Sequence, residues 1–365
     1  MKLIVAGGGT GGHLYPGLAV AEEVQRRGGE VLFVGTSRGL EAKVVPAAGY
    51  PLELLQVSGL KRMGLAGTLR GLFRLPKAFL QSLGILRRFR PDWVLGVGGY
   101  ASGPLVLMAA LTARRTALQE QNSVPGFTNK VLGRFARRVF LGFPEAASAF
   151  AVGRTQDTGN PVRRVFVEAA RGAAPPPGVS EVRLLVVGGS QGARAVNDLM
   201  LGALPLLVAR GLAVTVVHQT GRADAERIEA GYRAAGLSAQ VTVRPFIDDM
   251  VSAYGAATLV IGRAGALTLA ELAICGRPAL LVPLPTAADD HQTRNAEAFA
   301  QVGAAVVLPQ AETTPVRLAD TLAALLADGS RLESMAVAMR GLARPEAAAT
   351  IVDFLERALA APAPS

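Results

Sequence analysis

The sequence predicts an α/β protein made of two Rossmann-like, doubly wound parallel sheets, and two internal echoes carry that expectation. Leu3-Ile-Val-Ala-Gly-Gly-Gly-Thr-Gly-Gly-His13 recurs in kind as Leu184-Leu-Val-Val-Gly-Gly-Ser-Gln-Gly-Ala-Arg194. Trp93-Val-Leu-Gly-Val-Gly-Gly-Tyr-Ala-Ser-Gly103 recurs as Leu259-Val-Ile-Gly-Arg-Ala-Gly-Ala-Leu-Thr268. Each is an apolar run, a glycine cluster with a hydroxyl residue, and a helical pattern. Buried strands that feed glycine turns and helix N-termini are how parallel folds hold phosphate. A length of 365 residues suits two such domains, expected to face one another across a cleft.

The elements follow in order. Strands are predicted at Lys2–Ala6, Glu30–Val34, Trp93–Val97, Arg115–Gln119 and Val139–Leu141, separated by helical patterns. After the first, Leu14, Leu18, Ala21 and Val24 share one helical face. Thr158-Gly-Asn-Pro-Val162 is a turn cluster that begins the crossover, and Ala169–Ser180, with three consecutive prolines, is a loop. The alternation resumes with strands at Arg183–Val187, Val214–His218, Gln240–Arg244, Leu259–Ile261, Ala279–Val282 and Ala305–Leu308. Val196, Leu199, Met200, Ala203 and Leu207 form the matching helical face. A last helix runs from Pro345 to Ala360 before a frayed tail. The domains are therefore 1–160 and 161–342, with the C-terminal segment 343–365 packing back on the first.

Composition removes several classes. Half the residues are hydrophobic and 18% are charged, which excludes wholesale disorder. One cysteine, Cys275, and three histidines argue against a disulfide framework or a zinc cage. Met1 to Ala6 reads as a strand rather than a signal peptide, because glycines interrupt it at once. The charge-free stretch Trp93–Ala113 is broken by Gly96, Gly98, Gly99, Gly103 and Pro104, so it is strand, loop and helix rather than a membrane span. Lys61–Arg90 carries Lys61, Arg62, Arg70, Arg74, Lys77, Arg87, Arg88 and Arg90 without an acid, among many apolar residues. Leu75, Ile85 and Phe89 fall off the face made by Leu72, Phe79, Leu83 and Leu86, which predicts contact with an anionic membrane surface. No aromatic stacking platform accompanies the patch, so nucleic acid is not expected.

Gly7–Gly12 also satisfies the dinucleotide glycine pattern, which makes an NADP-dependent oxidoreductase the alternative. That reading wants an acid closing the second strand; Phe33-Val-Gly-Thr-Ser-Arg38 has none, and only Arg38 suits a phosphorylated cofactor. A sugar-nucleotide or lipid-binding protein without turnover is a third reading. Polar residues gather at strand ends in the second half, among them Ser190, Gln191, Phe246–Met250, Ala266–Glu271 and Asp289–Asn295. Glu271, one turn beyond Thr268, suits the vicinal hydroxyls of a ribose, with a solvated helix carboxylate as the plain alternative.

Taken in order, Gly8-Gly-Thr-Gly-Gly-His-Leu-Tyr-Pro-Gly-Leu-Ala19, Gly98-Gly-Tyr-Ala-Ser-Gly-Pro104, Glu120-Gln-Asn122, Gly159-Asn-Pro-Val-Arg163, Gly188–Arg194, Pro245-Phe-Ile-Asp-Asp-Met250, Gly265-Ala-Leu-Thr268 and Asp290–Ala296 make the chain similar to the MurG family of GT-B glycosyltransferases (family 28). The resemblance implies a peripheral enzyme at the cytoplasmic face of the bacterial inner membrane, in reach of other cell-wall synthesis proteins. It implies transfer of GlcNAc from UDP-GlcNAc to the 4-hydroxyl of MurNAc in lipid I, with inversion, giving lipid II, and needing no metal or other cofactor. Asp248-Asp249 and Asp289-Asp290 agree on metal, being adjacent rather than spaced acid pairs.

By matching position, Thr10, Gly11, Gly12, Asn122, Arg163, Ser190, the Ile247 backbone, Ala266, Leu267, Thr268, Leu269, Ala270, Glu271 and Gln292 bind the donor. Gly98, Gly99, Tyr100 and Ser102 take the acceptor pyrophosphate. His13 is the general base or a purely positional residue, and Glu120 is the rival base. His218 is expected to be a packed or cleft-lining residue rather than a catalyst, and His291 has no assigned role. Two departures stand out: Gln119 occupies a usual histidine position, and His291-Gln292 replaces a pair of glutamines.

Overall fold

The computed structural model describes residues 1–37, 39–56, 65–171, 182–189 and 191–360, with the backbone alone for 65–75. Arg38, Lys61, Arg62, Ser190 and most of the proline-bearing loop lie outside the described residues, as do the side chains of Arg70, Arg74, Leu72 and Leu75. The chain divides into two compact units, Met1–Arg164 with the segment from Arg344 onward, and Val165–Ala343.

The first unit runs β1 (Lys2–Gly7), α1 (Gly11–Arg26), β2 (Glu30–Gly35), α2 (Glu41–Ala47), β3 (Leu52–Leu54), α3 (Leu65–Phe89), β4 (Trp93–Gly98), α4 (Ser102–Leu111), β5 (Arg115–Glu120), α5 (Phe127–Leu132), β6 (Arg138–Leu141) and β7 (Thr155–Asp157). Its strands pair in parallel in the order β3-β2-β1-β4-β5-β6-β7. The near-continuous apolar run of β1 is what a strand covered on both faces requires. Leu3 and Val5 enter the core beneath α1, whereas Ile4 and Ala6 enter the core beneath α3 and α4.

The second unit runs α6 (Arg164–Arg171), β8 (Val182–Val187), α7 (Arg194–Ala209), β9 (Val214–Gln219), α8 (Ala225–Ala234), β10 (Val241–Arg244), α9 (Met250–Ala256), β11 (Leu259–Gly262), α10 (Ala266–Cys275), β12 (Ala279–Leu281), α11 (His291–Gln301), β13 (Ala305–Val307), α12 (Pro315–Leu326) and α13 (Gly329–Gly341). The sheet order is β10-β9-β8-β11-β12-β13, again parallel. Helix starts are set locally. Asp249 accepts the Ser252 amide, Thr314 the Arg317 amide ahead of Pro315, and Asp328 the Arg331 amide.

A final helix, α14 (Ala347–Ala360), belongs to the first unit, where Ile351, Val352 and Leu355 join the core. The Trp93 indole donates to the Leu355 carbonyl at 3.0 Å, and Phe354 meets Trp93 and Phe140 edge-on. Arg27 clamps the helix by pairing with Asp353 and Glu356.

Three elements depart from the sequence reading. Strands β3 and β7 were not predicted; both are three-residue edges, too short to show alternation. The apolar faces of α3 are also partitioned differently. Ile85 is buried rather than spare, and with Ala78, Ser82 and Leu86 it forms the stripe against the sheet, with Phe89 half-buried. Leu80, by contrast, is 70% exposed.

Of the packed and cleft-lining alternatives for His218 the structure shows the packed one: it is fully buried in the second unit between the Tyr232 hydroxyl at 2.9 Å and Asn197 at 3.1 Å. Burial lowers its pKa from 6.5 to about 4. Between those values the unfolded chain binds a proton that the folded chain refuses, so stability is full above pH 6.5 and falls as pH drops. The loss amounts to about 3 kcal/mol. Urea midpoints at neutral and mildly acid pH should show His218→Asn losing this acid sensitivity; an unchanged dependence would exclude His218 as its source.

Candidate active site

In the first sheet the chain order reverses between β1 and β4, and the loops leaving these strands carry the predicted residues. Thr10 precedes α1 in extended conformation, and its carbonyl receives the His13 and Leu14 amides. Its hydroxyl lies 3.2 Å from His13 Nδ1. The two loops are tied by the Gly8 amide donating to Gly98 O at 3.3 Å. Gly98 has φ +93°, and a Cβ there would stand 2.7 Å from the His13 ring. Only glycine satisfies both conditions at this position. Ser102, fully buried at the start of α4, has no hydrogen-bond partner for its hydroxyl among the described residues, while Tyr100 is half exposed. Arg163 is stacked over the ring of Tyr15 on α1, 4.8 Å from its centroid.

Glu120 has a different setting. It is buried, and desolvation raises its pKa despite the donors around it. Oε1 accepts the Asn122 amide at 3.0 Å, while Oε2 accepts the Gly126 amide at 3.1 Å and Asn129 Nδ2 at 2.9 Å. The carboxyl therefore staples the loop after β5. Beside it, Gln119 Nε2 donates to Asn160 Oδ1 at 2.9 Å, and Gln119 Oε1 accepts from Gln121 Nε2. Gln121 also reaches the Val97 carbonyl, and Asn160 Nδ2 the Gln121 carbonyl. Gln119 thus joins two motifs, Glu120–Asn122 and Gly159–Arg163, that lie far apart in sequence.

In the second sheet, Gln219 at the end of β9 is the link. Its Nε2 donates to the Gly189 carbonyl at 2.9 Å, and its Oε1 accepts the Ile247 amide at 3.2 Å. The glycine loop after β8 and the turn after β10 are thereby held together. Gly265 leads into α10, whose Leu267, Thr268 and Ala270 are partly exposed, whereas Leu269 points into the core. Leu269 can therefore offer a ligand only its backbone. Glu271 is buried, not solvated, and receives the Tyr254 hydroxyl at 3.4 Å. Gln292 Oε1 accepts the Leu284 amide at 3.1 Å, and Asn295 donates to the Ala264 carbonyl. Asp289 and Asp290 both hold φ +53° immediately before α11, a left-handed pair stored beside this loop.

Three residues of these sites were not singled out from the sequence. Gln219 fell one residue beyond the predicted strand, and a polar residue at a strand's carboxyl end was its only signal. Arg263, whose pKa burial lowers, bonds the Val282 and Pro283 carbonyls and Gln310. Glu41 lies outside the Phe33–Arg38 stretch, which has no acid. It lies six residues beyond the end of β2, yet its carboxylate returns to the Gly9 amide at 2.7 Å.

Residues 3–141 match the glycosyltransferase family 28 N-terminal domain, and residues 183–351 match the glycosyltransferase family 28 C-terminal domain. The chain belongs to glycosyltransferase family 28. An Anaeromyxobacter sp. (strain Fw109-5) protein named UDP-N-acetylglucosamine--N-acetylmuramyl-(pentapeptide) pyrophosphoryl-undecaprenol N-acetylglucosamine transferase is 52% identical over 355 residues, 97% of this chain and 92% of its own. A Myxococcus xanthus (strain DK1622) protein of the same name is 49% identical, with the same coverage. The crystal structure of Acinetobacter baumannii MurG is 33% identical with a TM-score of 0.78, over 98% of this chain and 99% of that one. The two Rossmann-like parallel sheets of this family 28 chain are those of the GT-B fold. None of these relatives supports the oxidoreductase alternative.

Within the family 28 site, Gln219→Ala should remove both ends of the loop bridge. The expected cost is about 1–2 kcal/mol of stability, with faster hydrogen exchange at the Ile247 amide. Unchanged exchange at Ile247 would show that the bridge does not hold this turn.

Proposed function

We propose that this chain transfers GlcNAc from UDP-GlcNAc to the 4-hydroxyl of the MurNAc unit of lipid I, giving lipid II with inversion at the anomeric carbon. The reading rests on 52% identity, across 97% of the chain, to a protein named for that transfer. In this reading the second unit holds the donor. The Ile247 backbone meets uracil, the α10 N-terminus meets the diphosphate, and Glu271 meets the ribose hydroxyls. The first unit holds the acceptor, with the loop around Gly98, Gly99, Tyr100 and Ser102 at its pyrophosphate.

His13 is the base. Its Nδ1 contact with Thr10 sets the ring, and Nε2 takes the proton of the acceptor hydroxyl. That oxygen bonds the anomeric carbon as the bond from carbon to the UDP oxygen breaks, and backbone amides stabilise the departing negative charge. Glu120 is a poor rival, because its oxygens already accept from Asn122, Gly126 and Asn129. Its carboxylate shapes the loop that brings Asn122 to the donor sugar.

Turnover of labelled UDP-GlcNAc with a lipid I analogue tests the reading directly, and UDP rather than NADP should protect the fold against heat. His13→Ala should lower kcat by about 100-fold or more with little change in donor KM. Glu271→Ala should raise donor KM roughly 10-fold or more, with a smaller effect on kcat. Near-normal kcat in His13→Ala would remove the base from His13.

The enzyme is proposed to work peripherally on the cytoplasmic face of the inner membrane. Among the described residues no helix is long and apolar enough to cross a membrane. Exposed Leu80 on α3, with the exposed cations Lys77 and Arg87, supports contact of the Lys61–Arg90 stretch with anionic lipid. Binding to phosphatidylglycerol vesicles should weaken as salt rises; equal binding to neutral vesicles at every salt would contradict it.

A further inference from the structure

We propose that Glu41 is a positioning residue for sugar transfer, filling the first glycine loop from within and thereby holding Thr10 and His13 in register with the acceptor. The inference deepens the reading above and rests on it, because it takes His13 as the base.

Glu41 opens α2 and is 1% exposed. Oε2 accepts the Gly9 amide at 2.7 Å. Oε1 accepts the Thr36 amide at 2.8 Å and the Thr36 hydroxyl at 2.9 Å. A Cβ at Gly8, Gly35 or Gly39 would collide with this side chain, so the glycines around it form a cradle of carboxylate shape. In a dinucleotide site, the loop amides and the acid after the second strand both face the ligand. Here the acid and the Gly9 amide are bonded to each other, which removes that amide from phosphate binding. The corresponding loop of the second unit is held differently, through its Gly189 carbonyl and Gln219. The two echoed loops therefore diverge in function: the first is an internally filled support for Thr10–His13.

The consequence for catalysis follows along the chain. The Gly9 amide is one residue from Thr10, whose carbonyl starts α1 and whose hydroxyl contacts His13 Nδ1. Glu41→Gln keeps the side chain's size but turns one oxygen into an NH2 group that must face a donor, either Gly9 or Thr36. Either the Gly9 amide or the Thr36 amide then loses its acceptor, which loosens the Glu41 side chain or the loop directly, and small displacements of a base are costly to rate.

The test compares wild type and Glu41→Gln in transfer from UDP-GlcNAc to a lipid I analogue, with amide exchange across residues 8–14 measured in parallel. The expected result is a fall in kcat of about 10- to 100-fold, donor KM within about threefold, and faster exchange in that segment. UDP affinity should be unchanged, which reports an intact second unit. A loss of melting temperature with kcat and loop exchange unchanged would make Glu41 merely structural and overturn the proposal. Absence of transfer by wild type would instead overturn the functional reading on which it rests. Should Glu41→Gln fail to fold, Glu41→Asp keeps the carboxylate but shortens its reach to the Gly9 amide. A several-fold fall in kcat with faster loop exchange is then expected, and no change in either overturns the proposal.

Discussion

Backbone amides at the carboxyl ends of the strands must find acceptors once the chain stops being a strand, and much of both sites is a response to that need. Loops that turn tightly enough to meet a ligand leave their N–H groups pointing inward. Here buried side chains meet several of them. Glu41 takes the Gly9 amide, Glu120 takes those of Asn122 and Gly126, and Gln219 takes that of Ile247. Each acceptor is buried or nearly so, and an amide left without it would be expensive. The loops are ordered from beneath by these side chains.

This arrangement separates the buried Glu120 that holds a loop from the partly buried His13 at a loop junction. Glu120 has the burial and raised pKa expected of a catalytic acid, yet its carboxyl is occupied by the loop it organises. His13 is only partly buried, and it sits where two glycine loops meet, against a position that tolerates no side chain. Geometry distinguishes the two more sharply than acidity does. Gln119 makes the same point from another direction. An amide bridges Asn160 and Gln121 with one donor and one acceptor, so the motif around Glu120 keeps its shape without the histidine usual at this position.

The internal duplication is a duplication of backbone rather than of chemistry. Both glycine loops leave the first strand of a parallel sheet at the point where strand order reverses. One contains an internal carboxylate at an amide; the other is tied at a carbonyl by an amide side chain. That difference explains why a dinucleotide pattern at Gly7–Gly12 need not signify a dinucleotide.

What the sequence by itself determined was everything encoded within a few residues. Apolar or alternating runs bounded by turn residues placed eleven of the strands within a residue or two, since a buried parallel strand needs near-continuous hydrophobicity. Helical periodicity likewise marked the faces of α1 and α7 that became core. The family motifs located the strand-end loops, including the neighbourhood of His13, Glu120 and Glu271. Tertiary structure decided what depends on distant partners. The edge strands β3 and β7 exist because a neighbouring strand offers its free edge, not because three residues announce themselves. The buried face of α3 was chosen by the sheet beneath it. Glu41 shows the limit most plainly: a lone acid in a polar stretch, it acquires meaning only when the β1–α1–β2 crossover returns it to a loop thirty-two residues earlier. Local sequence sets which conformations are cheap; long-range hydrogen bonds form only after packing has brought their ends together.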